Sequence, residues 1–345
     1  MTDPANRLAS EAEHAVDARR LAAMLALVLA MTLGANALAI RLSPVSERKH
    51  DGRIVRAKWD LASQGVPAGG IAVTGDSSGN FAVVAEILEN ELGRPTRNYC
   101  TYGRVLATGA GWFLDRAIER ADGPPSLALV VLGSRTYALP PDGFAFPQVP
   151  IGFGAWRTRA PRVPLTPVET FQFAAARLLP LYAQHKSFEL GITKGRWSID
   201  PSVLPITERG DSILPRAYPD GVAPFADKVL AEIASLEGPV PSEREREALS
   251  GLVRDAEARG YDVVFVDGPI WSGLAARPEH VAFLGRAHAY LELLCASSDR
   301  AWRLPGPLQT FEPAEMENPY HLTRPAAERF SAELARRLET LGLPR

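Results

Sequence analysis

The chain has 345 residues, 46% of them hydrophobic, enough for one large core or two small ones. Its formal net charge is −2 and it carries no long Lys/Arg run, which excludes the basic field that recruits nucleic acid. Two cysteines, Cys100 and Cys295, belong to no CxxC pair, so a zinc cluster is not expected; they read as buried thiols, with a disulfide the alternative in an exported domain.

Residues 21–40 read LAAMLALVLAMTLGANALAI, without a charge. As a helix these positions span about 30 Å, the thickness of a bilayer core. The stretch fits a membrane anchor or a long signal peptide, because ANA and ALA near its end resemble small-residue cleavage sites. The twenty polar residues before it are long for a signal peptide and favour the anchor. Orientation is not set by charge: Arg19 and Arg20 precede the segment, while Arg41, Arg48, Lys49, Arg53, Arg56 and Lys58 follow it. Residues 41–67 are expected to be a linker and 68–345 the folded domain.

From about residue 68, short apolar runs alternate with helical patterns. Strands are expected at 71–74, 98–102, 126–133 and 261–269, with a last one at RAWRL (300–304). Helices are expected over about 81–92, 112–120, 167–184, 242–259, 278–296 and 325–341. Val-, Leu- and Ile-rich strands separated by helices imply an α/β fold with a central parallel sheet covered on both faces. Residues 136–240 interrupt the alternation and read as a mid-chain insertion, with a Pro/Gly-rich stretch over 140–165. Ligands of such sheets bind beyond the carboxyl ends of the strands. Gly75-Asp76-Ser77, Gly133-Ser134-Arg135 and Asp267-Gly268-Pro269 all fall there.

The first of these turns lies in IAVTGDSSGN (71–80). A phosphate loop fails, because Asp76 stands where Lys is required and the intervening residues belong to a strand. The chymotrypsin-type signature fails because that fold is all-β and its Ser comes last. Two readings remain on these ten residues: a nucleophile at the start of a helix, or polar caps for that helix. His321, in ENPYHLTRP, alone among six histidines lies between a last strand and a last helix, where a base would face the first strand's serine. No HExxH or ligand-spaced cluster suggests a metal, and no cofactor is expected.

In order and spacing these blocks resemble the SGNH, or GDSL-type, hydrolase superfamily, over roughly residues 68–135 and 260–341. Gly75-Asp76-Ser77 matches its first block and Gly109, in LATGAGW, its second. LGSRT keeps Gly133 of the third block but places Arg135 where Asn is usual. NPYHL keeps His321 and Leu322 of the last block, with Asn318 at the usual Asp. The anchor and the insertion are similar to the DltD-like and alginate-acetylation-type envelope proteins. The resemblance implies an SGNH-like three-layer sandwich with a central parallel sheet. It implies a cytoplasmic tail at 1–20, a single span of the cytoplasmic membrane and an extracytoplasmic main domain.

It further implies a serine-dependent O-acyltransferase or esterase acting on an envelope or exported glycan, with a membrane-bound O-acyltransferase as partner. Ser77 would be the nucleophile and His321 its base. Gly109 and Arg135 would serve the oxyanion or the substrate, although Arg135 could equally pair with an acid. Asn318 is a neutral amide and does not stabilise an imidazolium as a carboxylate does. Its backbone carbonyl, or Glu317 or Glu315, could then orient His321. Alternatively the domain is a non-catalytic scaffold or glycan-binding partner of the acyltransferase.

Overall fold

The computed structural model describes residues 4–42, 50–101, 106–138, 149, 151, 166–179, 193, 206–212, 214 and 216–342. Most of the Pro/Gly-rich stretch 140–165, and nearly all of 185–200, lie outside the described residues.

One long helix, α1 (Pro4–Leu42), contains a window, Ala18–Leu38, of mean hydropathy 2.1 with almost none of its surface buried. That length and composition suit a single membrane span or a signal sequence. The next helix, α2 (His50–Ala62), falls inside the stretch expected to be a linker. It is instead part of the folded domain: Val55, Trp59, Leu61 and Ala62 join the core. Lys58 is fully buried on the same helix, and its Nζ donates to the Asn98 carbonyl at 2.9 Å. Burial pulls the Lys58 pKa down to about 8.

The centre of the domain is a five-stranded sheet of β1 (Ile71–Gly75), β2 (Thr96–Asn98), β3 (Leu127–Leu132), β4 (Asp262–Asp267) and a strand at Ala301–Arg303. Between β4 and that last strand lies a two-residue strand, β5 (Ile270–Trp271), which makes the last sheet strand β6. The order is β2-β1-β3-β4-β6 and every pairing is parallel. β1 and β3 are buried throughout. Successive side chains alternate between two cores, as strand geometry requires. Ala72, Val130 and Phe265 enter one core, and Ile71, Val73, Leu129 and Val264 the other.

The helices close both faces. Beyond β1 the chain forms α3 (Ser77–Ala82) and α4 (Ala85–Leu92), and beyond β2 it forms α5 (Leu106–Glu119). The region between β3 and β4 contributes α6 (Pro167–Leu178), α7 (Pro219–Ala234) and α8 (Glu243–Arg259). The short α9 (Ser272–Ala275), α10 (Pro278–Ala296) and α11 (Arg324–Thr340) follow β4 and β6. α2, α5, α8 and α10 supply Trp59, Phe113, Leu252 and Phe283 to the first core, while α4 and α11 supply Leu88, Phe330 and Leu334 to the second. Burying each such side chain contributes roughly 1.5–3 kcal/mol.

Three expected elements differ, the first being the strand expected at 98–102, which is β2 at Thr96–Asn98. The helix expected over 81–92 is broken at Val83-Val84, where β-branched side chains disfavour helix and partners remote in sequence take the backbone groups. The Val84 N–H donates to Ser331 Oγ at 2.8 Å, and Asn98 Nδ2 donates to the Val83 carbonyl at 2.9 Å. α5 starts six residues earlier than expected, at Leu106 rather than Trp112. Its Ala107 N–H is capped by the buried Glu245 carboxylate at 3.0 Å.

Strand order reverses between β1 and β3, and doubly wound sheets bind ligands beyond the carboxyl ends of the strands at such a point. Both turns, at Ser77 and at Gly133, lie at those ends.

Candidate active site

The first turn is built around glycine and an aspartate. Gly75 has φ of +143°, and a Cβ there would sit 1.9 Å from the Val131 carbonyl oxygen, so no other residue fits. Asp76 caps α3: its carboxylate accepts from the Ser78 N–H at 2.8 Å and from Ser78 Oγ at 2.5 Å. It also accepts from the Gly133 N–H at 2.8 Å and from Thr136 Oγ1. One buried carboxylate thus ties the turn after β1 to the turn after β3. Ser78 is consumed by this network and buried, whereas Ser77, at the first position of α3, is half-buried. Among the described residues the Ser77 N–H has no partner.

The second half of the site is a hairpin of β8 (Met316–Asn318) and β9 (His321–Leu322), after a short β7 (Thr310–Phe311) that pairs with β5. Asn318 pairs with His321 across the two-residue turn Pro319-Tyr320, and the register is irregular between Met316 and Asn318. Neighbouring strand residues normally face opposite ways, and such an irregularity re-aims one of them. Here both Glu317 and Asn318 reach the same ring nitrogen of His321.

The geometry joins the two ends of the chain. Ser77 Oγ lies 2.9 Å from His321 Nε2. Glu317 Oε2 lies 3.1 Å and Asn318 Nδ2 2.8 Å from His321 Nδ1. The Phe81 ring packs 4.6 Å from the imidazole, centroid to centroid. Asn318 Oδ1 accepts from the Tyr320 N–H at 3.0 Å, which fixes the amide with its NH2 toward the histidine.

Asn318 therefore keeps the position expected of it and takes a different role. An amide NH2 offers Nδ1 a donor, which favours the proton on Nε2, the wrong nitrogen for a base facing Ser77. Glu317 offers an acceptor, which favours the proton on Nδ1 and leaves the Nε2 lone pair for the Ser77 hydroxyl. The two partners compete for one ring nitrogen: a charge-assisted bond is about twice as strong as a neutral one, which favours the proton on Nδ1, and in that tautomer the Asn318 contact is no hydrogen bond. Glu315, the other acid considered from sequence, is committed to Arg329 and to the Glu312 N–H.

The remaining expected residues separate. Gly109 is buried in the first turn of α5, next to Ala110, whose carbonyl accepts from Thr74 Oγ1 at the end of β1. Arg135 does not join Ser77 and His321. Its Nε and Nη2 each lie 2.8 Å from the Glu232 carboxylate, and its guanidinium stacks 5.0 Å from the Phe225 ring. Of the roles open to it from sequence, pairing with an acid is the one found.

Two further clusters line the carboxyl edge. Asp267, at the end of β4, bonds His288 Nε2 at 2.9 Å and Arg303 at 3.1 Å. Burial works against the Asp267 charge, but these bonds outweigh it and hold the carboxyl below its usual range. Ser134 Oγ lies 2.7 Å from His280 Nε2 and 3.2 Å from the Tyr320 hydroxyl, all three side chains being buried. His280 lies in the first turn of α10, the helix expected over 278–296. Both cysteines are free thiols. Among the described residues no three metal-binding side chains converge.

No model of a known protein family matches the chain, and no curated protein is similar to it in sequence.

Proposed function

We propose that the chain is a membrane-anchored serine O-acyltransferase or esterase of the SGNH type, its main domain outside the cytoplasmic membrane, working on an envelope or exported glycan. The observation that carries this reading is the line Ser77 Oγ–His321 Nε2–Glu317, with 2.9 Å and 3.1 Å between successive groups. A nucleophile, a base and an acceptor for the base's second nitrogen are what acyl transfer through serine needs. The apolar helix window Ala18–Leu38 supports the anchor. The strand order and the site's place at the carboxyl edge support the fold assignment.

In this reading Ser77 Oγ attacks the acyl carbonyl while its proton passes to His321 Nε2. The imidazolium is held by Glu317. Collapse of the tetrahedral intermediate breaks the bond to the donor's leaving oxygen, which takes the proton from His321. A glycan hydroxyl, or water, then attacks the acyl-serine, giving its proton to His321 Nε2, and as the acyl–Oγ bond breaks Ser77 Oγ takes that proton back. In this reading the Ser77 N–H receives the oxyanion, and Gly109 is the second donor that the family resemblance supplies. Arg135 has no part in these steps. A membrane-bound O-acyltransferase delivering the acyl group is the expected partner.

The full-length chain in detergent, exposed to a fluorophosphonate probe, tests the reading. Stoichiometric labelling of Ser77 is expected, absent in Ser77→Ala, together with lost glycan acylation in cells carrying that variant. A non-catalytic scaffold would leave Ser77 unlabelled. Protease access to the main domain in sealed membrane vesicles of known orientation tests its side.

A further inference from the structure

We propose that the buried Ser134–His280 pair is a positioning strut: through the Tyr320 hydroxyl it holds the hairpin carrying Glu317 and His321 in register with Ser77. The inference rests on the reading of Ser77 and His321 as nucleophile and base.

At first sight Ser134 and His280 resemble a second reactive pair. Three features exclude that. First, Ser134, His280 and Tyr320 are at most 7% exposed, so no acyl donor reaches the hydroxyl. Second, His280 Nδ1 is buried with no partner, so no group orients this ring as Glu317 orients His321. Third, the direction of the bonds is wrong for a base. Leaving a lone pair bare in the interior costs less than leaving an N–H bare. The proton of the neutral ring therefore sits on Nε2 and is donated to Ser134 Oγ. Ser134 in turn donates to the Tyr320 oxygen. The ring stays neutral, because burial and the neighbouring His288 hold its pKa down to about 4. The phenol stays protonated, because burial raises its pKa.

The chain of bonds starts at the first turn of α10, crosses the turn after β3 and ends on the hairpin. Tyr320 is the last residue before His321, and its own N–H holds Asn318 Oδ1. One residue, through its hydroxyl and its backbone N–H, therefore bears on the turn, the amide beside the base and the approach of the base to Ser77. Elsewhere the hairpin is tied by the Trp271 N–H to the Pro319 carbonyl, 2.9 Å, and the Tyr218 N–H to the Met316 carbonyl, 2.8 Å. These fix the backbone of the ribbon. Among the described residues, only the Tyr320 hydroxyl is seen to tie its turn to the same loop, Gly133-Ser134, that Asp76 binds from the Ser77 side. Nucleophile and base are thus referenced to one loop, and small misplacements of reacting groups are costly.

Ser134→Ala and Tyr320→Phe each delete one hydroxyl with little change of shape. Both are made in the full-length chain in detergent and tested with a chromogenic acetyl ester. Each is expected to lower kcat about tenfold with KM within about twofold, and the double variant to fall no further than the worse single. Amide exchange by mass spectrometry should be faster over residues 316–322 in both variants and unchanged in β1 and β3. Unchanged kcat and unchanged exchange, with Ser77 still labelled by the fluorophosphonate, would overturn the strut. So would a probe adduct on Ser134. An unlabelled Ser77 with faster exchange in the variants would instead sink the reading of Ser77 as nucleophile and leave the strut standing.

Discussion

Two serine–histidine pairs sit at the carboxyl edge of one sheet and differ in almost everything except their bond. Ser77 Oγ and His321 Nε2 are 2.9 Å apart, Ser134 Oγ and His280 Nε2 2.7 Å. Each serine follows a glycine-containing turn at the carboxyl end of a central strand. Yet His321 has a carboxylate on its far nitrogen and is partly open to solvent, while His280 has nothing there and is fully buried. The shorter of the two bonds belongs to the pair that lacks both an orienting acceptor and access. A close Ser–His contact therefore does not identify a nucleophile. What lies on the other ring nitrogen, and whether a carbonyl can arrive, separates reactive from structural.

The most severe way to break this comparison is to remove each serine's hydroxyl. Ser77→Ala should lower ester turnover at least about a thousandfold, as loss of a nucleophile does. That is about two orders of magnitude beyond the effect expected at Ser134. Equal losses in the two variants, measured as kcat on the same ester, would mean that the assignment of roles is wrong.

Next in size is the carboxylate. Glu317→Gln should lower kcat/KM about a hundredfold, less than the handicap of a deeply buried triad, because Glu317 is 44% exposed and water screens it. Asn318→Asp offers a sharper arm. One Asp oxygen keeps the Tyr320 N–H, and the other replaces a donor by an acceptor beside Nδ1. In the Glu317→Gln background it should recover most of the loss. No recovery would show that the acceptor on Nδ1 is not what the site lacks.

Acid separates the pairs through stability. The folded pKa of His280, about 4, lies below the unfolded value of 6.5. The native state therefore binds fewer protons than the unfolded chain between those values, and stability present above pH 6.5 is lost as pH falls toward 4. At about 1.4 kcal/mol per unit the loss reaches a few kcal/mol. Glu245 works in the opposite direction over an overlapping window. Burial raises its pKa to about 7, so its contribution is present below the unfolded value and is lost as pH rises through 7. The measurement must therefore be a difference. Urea unfolding of the wild type minus that of His280→Gln should isolate the histidine, the gap narrowing as pH drops from 6.5 to 4. A gap independent of pH would remove the burial account of His280.

Much of this was legible before the fold. β1, β3 and β4 are apolar runs because both their faces are covered, and α8 and α10 are marked by Ser242 and Pro278 at their starts. Ser77 and His321 were legible because a strand-end serine and a late histidine are brought together by parallel topology alone. What escaped depends on contacts made across the chain. The break at Val83-Val84 needs Ser331 and Asn98, and the early start of α5 needs Glu245, 138 residues away. Glu317 was one of three groups the sequence offered to orient His321, and the choice among them escaped, since only the irregular pairing of a three-residue strand turns it toward the ring. α2 looked like a linker because its charged residues mask a buried face, and Lys58 was counted with the charges when it lies wholly inside.

The smallest expected effect concerns Arg135, for which sequence offered the roles of oxyanion donor, anion binder and partner of an acid. Bound through two nitrogens to Glu232 and stacked on Phe225, it is held away from the reaction, and its pair is only 25% exposed on each side. Arg135→Ala should cost about 1 kcal/mol of stability from the lost pair and stacking, seen in urea unfolding. It should leave the rate of Ser77 labelling within about twofold. An oxyanion donor removed from a working site costs a hundredfold or more in turnover. A loss of that size in Arg135→Ala would mean that the guanidinium leaves Glu232 when substrate binds. The oxyanion hole would then be completed from the third sequence block after all. A twofold change would mean that Arg135 is a structural ion pair and takes no part at Ser77.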